Sequence, residues 1–327
     1  MTTPLYSLSI SARAILDMHS LNNEGGEGNQ IQTRMVNVVD QHGQLQNVNA
    51  ISGDMFKHIQ AEHLFHITRE RDDLPLCAGC REFNANRINA DGEFITATKG
   101  LSDAETLTKM LQTCAMDDIE GILITEGNRS VPRKSVIEFG WVVGVPERVE
   151  TDSYFHVKYA TERGGEQRAT DREAVSTGAN LGQAIFHRPA SSGIYAAVCH
   201  VELARIGFND ITQQYTIGEE QRALRAQALL QSVLYTFLQP NGAMRSAQAP
   251  HLVDFSGVLT LSSGPMPAPT VSPLKDDYRE QIARVHDALE RIAKDTVSMA
   301  TFNSLGEFTD LIGELLQNTV PYELRYA

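Results

Sequence analysis

With its long insertions set aside, this chain reads in the order strand, helix, strand, strand, helix, strand, and that order constrains the fold more than any other feature. Tyr6, Leu8, Ile10 and Ala12 alternate with Ser7, Ser9, Ser11 and Arg13, which predicts a half-buried strand with one polar face. Ser52 opens a predicted helix over ISGDMFKHIQAEHLF. Ile119 to Thr125 and Val136 to Val143 are short apolar runs suited to strands. Gly193 to Leu203 is strand-like. Glu219 to Leu238 carries Ala223, Ala226, Leu230, Val233 and Phe237 on one helical face. Leu252 to Leu261 closes the series as a strand. The fold class expected is α+β, the split β-α-β-β-α-β order of ferredoxin-like and RNA-recognition-type domains.

Two excursions interrupt that order, roughly 60–117 and 150–190. Both are too long for structureless loops and should be substructures. The first contains Ser102 and Glu105 in the S-x-x-E spacing of a capping box. The second is polar and weakly periodic. After the last core strand, PMPAPTVSP reads as a stiff linker to two terminal amphipathic helices.

The net charge of -13, from 41 acidic and 28 basic residues, opposes a polyanion-binding surface made of the whole molecule. It leaves room for one local basic track. Four unevenly spaced cysteines do not make a disulfide framework in 327 residues. MTTPLYSLSI lacks the basic start and apolar run of a signal peptide, and no stretch is apolar enough to span a bilayer, so a cytoplasmic protein with no membrane partner is expected.

Several motifs carry chemistry. The loop NNEGGEGNQ lacks the G-K-[S/T] ending of a P-loop; its small residues suit backbone approach to an extended polyanion, with Arg34 at the exit. In VNAISGDMFKHIQ, Ser52 caps a helix whose first turns carry Lys57 and His58. A helix N-terminus with its unpaired N–H groups attracts phosphate, and a lysine adds a point charge. Arg129, Arg133 and Lys134 in NRSVPRKS form the densest basic cluster, either a solvated hairpin or a phosphate contact. Arg245 in GAMRS is a further candidate of that kind. Cys77-x-x-Cys80, flanked by Pro75 and Gly79, follows His63-x-x-His66, a set that suits a structural zinc; Cys114 and Cys199 read as core residues. No nucleophile elbow stands in the chain.

The pairing of N-x-E-G-G-E-G-N-Q-x-x-x-R with A-I-S-G-D-M-F-K-H, followed by R-S-V-P-R-K-S, resembles the backbone subunit of type I CRISPR surveillance complexes. This is the "Cas seven" superfamily, with its DevR-like branch the nearest match. F-H-R-P-A-S-S-G-I-Y-A, A-R-I-G-F-N-D and G-A-M-R-S-A-Q-A-P-H extend the resemblance along most of the chain. It implies a palm (1–59, 118–150 and 190–327), a helical fingers insertion (60–117) and a long β-hairpin thumb (151–189). It also implies a non-catalytic protein that stacks as a helical filament along a CRISPR RNA. Its partners would be that RNA, the target DNA strand paired to it, further copies of itself, and the other subunits of a Cascade. By position, Arg34, Ser52, Lys57, His58, Arg129, Arg133, Lys134 and Arg245 would then meet RNA. Tyr154, Phe155 and Leu181 on the thumb would wedge against bases. No cofactor is required beyond the possible zinc. Two alternatives stay open: metal-dependent RNA cleavage using Glu24 or Glu27, near Asp17 and His19, and binding of the protein to its own transcript or promoter.

Overall fold

The computed structural model describes residues 2–22, 25–27, 30–125, 129–159, 183–244 and 246–325. The strands that matter for the site are β1 (Ser7–His19), β2 (Met35–Val39) and β3 (Leu45–Ile51). Helix α1 (Gly53–Arg69) follows. The first excursion then holds α2 (Ala78–Arg81), α3 (Gly92–Ala97), α4 (Asp103–Thr113) and α5 (Ala115–Glu120). Next come β4 (Ile122–Ile124), β5 (Val131–Arg133), β6 (Ile137–Phe139), β7 (Val142–Tyr159) and β8 (Gln183–Val201). The chain continues through α6 (Glu219–Leu238), β9 (His251–Ser262), α7 (Tyr278–Glu290), β10 (Val297–Phe302) and α8 (Leu305–Asn318).

The main sheet runs β10-β9-β1-β8-β7-β3-β2, with β6 also paired to β8, and all these pairs are antiparallel. The molecule is therefore a mixed α/β protein built on an antiparallel sheet. Helices α1 and α6 cover one face. Phe56 and Leu64 of α1 and Leu230, Val233 and Phe237 of α6 join Leu8, Ile10, Phe255 and Leu259 of the sheet in one core. Phe237 stacks on Phe255 with ring centroids 4.6 Å apart. Residues of the first excursion, among them Leu76, Ile88, Phe94 and Leu107, belong to this same core. The capping box forms as expected: the Ser102 side chain accepts from the Glu105 backbone and the Glu105 carboxylate from that of Ser102.

Three expectations are corrected. Strand β1 is buried on both faces: Ser7, Ser9 and Ser11 are 1% exposed. The proline-rich segment is no linker but their cover, since Ser9 Oγ donates to the Ala268 carbonyl at 3.0 Å and Thr260 Oγ1 to that of Pro269 at 2.8 Å. Tyr278 and Ile282 of α7 pack over Val258 on the same side. The run Ile119 to Thr125 begins as the end of α5, and its strand β4 pairs with β5 outside the main sheet. Strand β10, between the terminal helices, went unread because VSMATF is too short to show a period.

Strands β7 and β8 form a long hairpin whose register runs from Val143 opposite Ala196 out to Tyr159 opposite Gln183. No helix among the described residues is long and apolar enough to cross a membrane.

Candidate nucleic-acid interface

The start of α1 is fixed from both sides. Ser52 Oγ accepts the Met55 N–H at 3.1 Å, and the Ser52 N–H donates to Asn22 Oδ1 at 3.1 Å. Glycine is needed next, because a Cβ at Gly53 would stand 2.6 Å from the Phe139 carbonyl oxygen at the end of β6. Between this helix start and β6 lies a groove of about 330 Å³, lined by Asp54, Lys57, Ser135, Glu138 and Trp141.

Trp141, the only tryptophan in the chain, is 43% exposed in that groove. The Arg34 guanidinium lies 5.7 Å from its ring centroid, within cation–π range. Lys134 is exposed and pairs with Glu138 at 2.8 Å. Lys57 is half-buried: its Nζ donates to the Glu120 carbonyl at 2.9 Å, and burial lowers its pKa. Burial likewise raises the carboxyl of Glu120. His58 is exposed one residue further on, its ring 5.8 Å from that of Phe83. Lys57 and Trp141 thus line the groove, Arg34 meets it through the Trp141 ring and Lys134 through Glu138, around an aromatic platform that composition alone did not single out. The signal available was Trp141 directly after F-G, an aromatic placed next to a glycine at a strand boundary.

Arg133 is the main correction. It is fully buried, and its Nη2 donates to Asp118 Oδ1 and to the Arg205 carbonyl, each at 2.7 Å. Its Nη1 donates to the Phe208 carbonyl at 2.8 Å and Asp210 Oδ2 at 3.1 Å, and its Nε to the Asp118 carbonyl at 3.2 Å. All five guanidinium hydrogens are used inside the protein, so none remains for a phosphate. Arg129 also turns inward, donating to Thr106 Oγ1 at 2.6 Å and the Thr98 carbonyl at 3.0 Å, where it ties the β4–β5 connection to the first excursion. Arg34, Lys57 and Arg133 therefore do not share one groove; Lys57 lines it, Arg34 stands over the Trp141 ring at its edge, and Arg133 is buried elsewhere.

Tyr154 and Phe155 are 42% and 59% exposed on β7, so neither packs the hairpin root. Phe155 meets the His187 ring edge-on across the hairpin, centroids 5.8 Å apart. Leu181, Arg245, Glu24 and the side chain of Glu27 lie outside the described residues.

The expected metal set is also corrected. His63 Nε2 is engaged with the Gln239 carbonyl at 2.9 Å, and His66 is exposed beside Phe65. Neither approaches Cys77 and Cys80. Cys114 and Asp117 do, bringing four donor atoms within 4.8 Å of one another, all of them buried. The spacing Cys114-Ala-Met-Asp117 repeats that of Cys77-x-x-Cys80 with a carboxylate as the last member, and this was the overlooked signal. Hydrogen bonds from the Cys114 and Cys80 thiols pull the Cys77 thiol down to about 5, while burial raises Cys114 and Asp117.

A family model described as CRISPR-associated negative auto-regulator DevR/Csa2 matches residues 10–283. The chain belongs to this family, and is a CRISPR-associated protein of the Cas7 type. The curated CRISPR-associated protein Cas7/Cst2/DevR of Methanocaldococcus jannaschii is 22% identical over 323 residues, covering 96% of this chain and 98% of that one. A chain of a CRISPR RNA-guided surveillance complex in a pre-nicking state aligns over 94% of this chain and 100% of its own, at 12% identity and a TM-score of 0.47. Csc2 of Thermofilum pendens aligns over 97% and 87% at 10% identity and a TM-score of 0.40.

Proposed function

We propose that this protein is a non-catalytic RNA-binding backbone subunit of a Cascade-like complex, holding a CRISPR RNA by its sugar-phosphate chain and leaving the bases to pair with a target DNA strand. The observation that carries this reading is the family match across residues 10–283. The groove at the start of α1 supplies a physical means. Arg34 and Lys57 offer charge to phosphates, the first turn of α1 offers the N–H groups that Ser52 does not cap, and Trp141 offers a face on which one base can stack. The strand order β9-β1-β8-β6, with α1 and α6 as the two crossover helices, supports a palm of the ferredoxin-like, RNA-recognition type. On this reading residues 60–117 are the fingers and 151–189 the thumb, and Tyr154 and Phe155 reach toward the RNA. Further copies of the chain stack along the same guide, beside the other subunits of the complex.

On the sheet face opposite α1 and α6, β1 and β9 are covered by the proline-rich segment and α7, which favours a path for the RNA along the helix-start groove.

The test is binding of a labelled single-stranded RNA by fluorescence anisotropy across a salt series, with the purified protein also checked for carried RNA. Arg34→Ala should weaken binding of all sequences alike and reduce the salt slope by about one. A protein that stays free of nucleic acid and gains no affinity at low salt would end the proposal. The family's description as a negative auto-regulator supports the second reading, autoregulation. Selective binding to the gene's own promoter or transcript over unrelated RNA would favour it.

A further inference from the structure

Two helix starts meet in the interior. Cys77 precedes α2, and its Sγ accepts the Cys80 N–H at 3.3 Å. Cys114 precedes α5, and its Sγ accepts the Asp117 N–H at 3.4 Å. Each is a sulfur-capped turn that directs a second ligand-type side chain inward three residues later. Backbone N–H bonds of this kind are the outer-shell contacts that orient metal-bound thiolates. The two turns are held face to face by the Ala115 N–H, which donates to the Pro75 carbonyl at 2.8 Å.

The separations fit one ion. Asp117 Oδ2 lies 3.3 Å from the Cys77 sulfur and 3.6 Å from that of Cys80. Tetrahedral zinc, with bonds of about 2.3 Å to sulfur and about 2.0 Å to oxygen, puts ligand atoms roughly 3.3–3.8 Å apart. The remaining carboxylate oxygen, Asp117 Oδ1, has no hydrogen-bond partner among the described residues; Arg87 stands 3.8 Å away. A buried carboxylate whose hydrogen bonds come from weak thiol donors and whose one ion pair is long, at 3.8 Å, is a poor end point, because a buried charge needs close pairing or a metal. Arg87 also offsets part of the negative charge that three thiolates and a carboxylate would leave around a divalent ion.

We propose that Cys77, Cys80, Cys114 and Asp117 form a closed structural zinc site that clips α2 to α5 within the first excursion, residues 60–117. All four side chains are at most 1% exposed, so there is no open coordination position and no catalytic role. The clip joins α2 to α5 across the intervening residues 81–113, where it limits the freedom of a long connection. The site stands whether or not the groove binds RNA.

The experiment is elemental analysis of the full chain, expressed with added zinc and purified without chelator, followed by cobalt substitution. About one zinc per chain is expected, and the cobalt form should show tetrahedral d–d bands together with thiolate charge transfer in the near ultraviolet. Cys114→Ser and Asp117→Asn should each lower retained zinc, whereas His63→Ala and His66→Ala should leave it unchanged. Should the ligand variants fail to fold, the cobalt spectrum of the unaltered chain still decides. Stoichiometry below about a tenth with no cobalt charge-transfer band would overturn the proposal. So would zinc lost on His63→Ala but kept on Cys114→Ser, or a disulfide between any two of these cysteines in freshly purified protein.

Discussion

Arg133 donates to Asp118 Oδ1 at 2.7 Å with both side chains fully shielded from solvent. Asp118 is shared: Arg225, also fully buried, reaches its other oxygen at 2.7 Å, and the Gly207 N–H donates to it at 2.9 Å. This carboxylate ties the β5 end, the turn after β8, and α6 together. Removing one member leaves the others as uncompensated buried charge. Asp118→Ala should therefore cost about 3–5 kcal/mol of folding stability in urea denaturation. Arg133→Ala should act in the same direction, and whatever folds should keep the wild-type salt dependence of RNA binding. A changed slope without lost stability would show that Arg133 meets phosphate after all.

Trp141 should matter for binding and little for folding. Truncating a base-stacking aromatic costs roughly 1–3 kcal/mol of affinity. Trp141→Ala should weaken single-stranded RNA by that amount, read by anisotropy, with a denaturation midpoint close to wild type. Trp141→Phe should restore part of the loss.

The hairpin aromatics give a parallel test. Phe155 is too exposed to hold the fold together, so Phe155→Ala should change stability by less than about 0.5 kcal/mol. Reduced RNA affinity in the same variant would place the thumb on the RNA; unchanged affinity would remove it from the interface.

His19 predicts a pH response. It ends β1 beneath Tyr195, ring centroids 4.9 Å apart, and burial holds its imidazole down to about 4. In the unfolded chain the pKa is about 6.5. Between those values the unfolded state takes up a proton that the folded state refuses. Stability is thus complete above about pH 6.5 and declines as the pH falls toward 4, by up to about 3 kcal/mol from this group. His19→Gln should flatten that part of the pH profile in urea titrations. An equally steep profile in the variant would assign the effect to other groups.

Gly53 tests the geometry of the groove. A methyl group there meets the Phe139 carbonyl oxygen at 2.6 Å, so Gly53→Ala must shift α1 or β6. A loss of about 1–3 kcal/mol is expected from this overpacking, together with weaker RNA binding, since the same two elements form the groove walls.

The local features were legible. Helix α6 runs over Glu219–Leu238 as its periodicity predicts, and Ser52 and Ser102 cap the helices they were expected to cap. Those signals come from residues within a turn of one another, and short-range sterics and hydrogen bonds decide them. The strands β1, β8 and β9 were legible for the same reason, because each carries its own alternation or apolar run, whereas Ile119 to Thr125 was read as a core strand and is not one.

Burial by distant chain was not legible. The serine face of β1 looks solvated until residues 268–282 close over it, and NRSVPRKS looks like a cation cluster until Asp118 and three carbonyls claim Arg133. His63 and His66 stand nearer to the first cysteine pair in sequence, yet Cys114 and Asp117 reach it in space. The amino-acid order by itself set the elements, their caps and the family motifs. Only the tertiary structure decided which charges face water and which donor atoms converge. Desolvation and coordination depend on atoms brought together from opposite ends of the chain, and no periodicity records them.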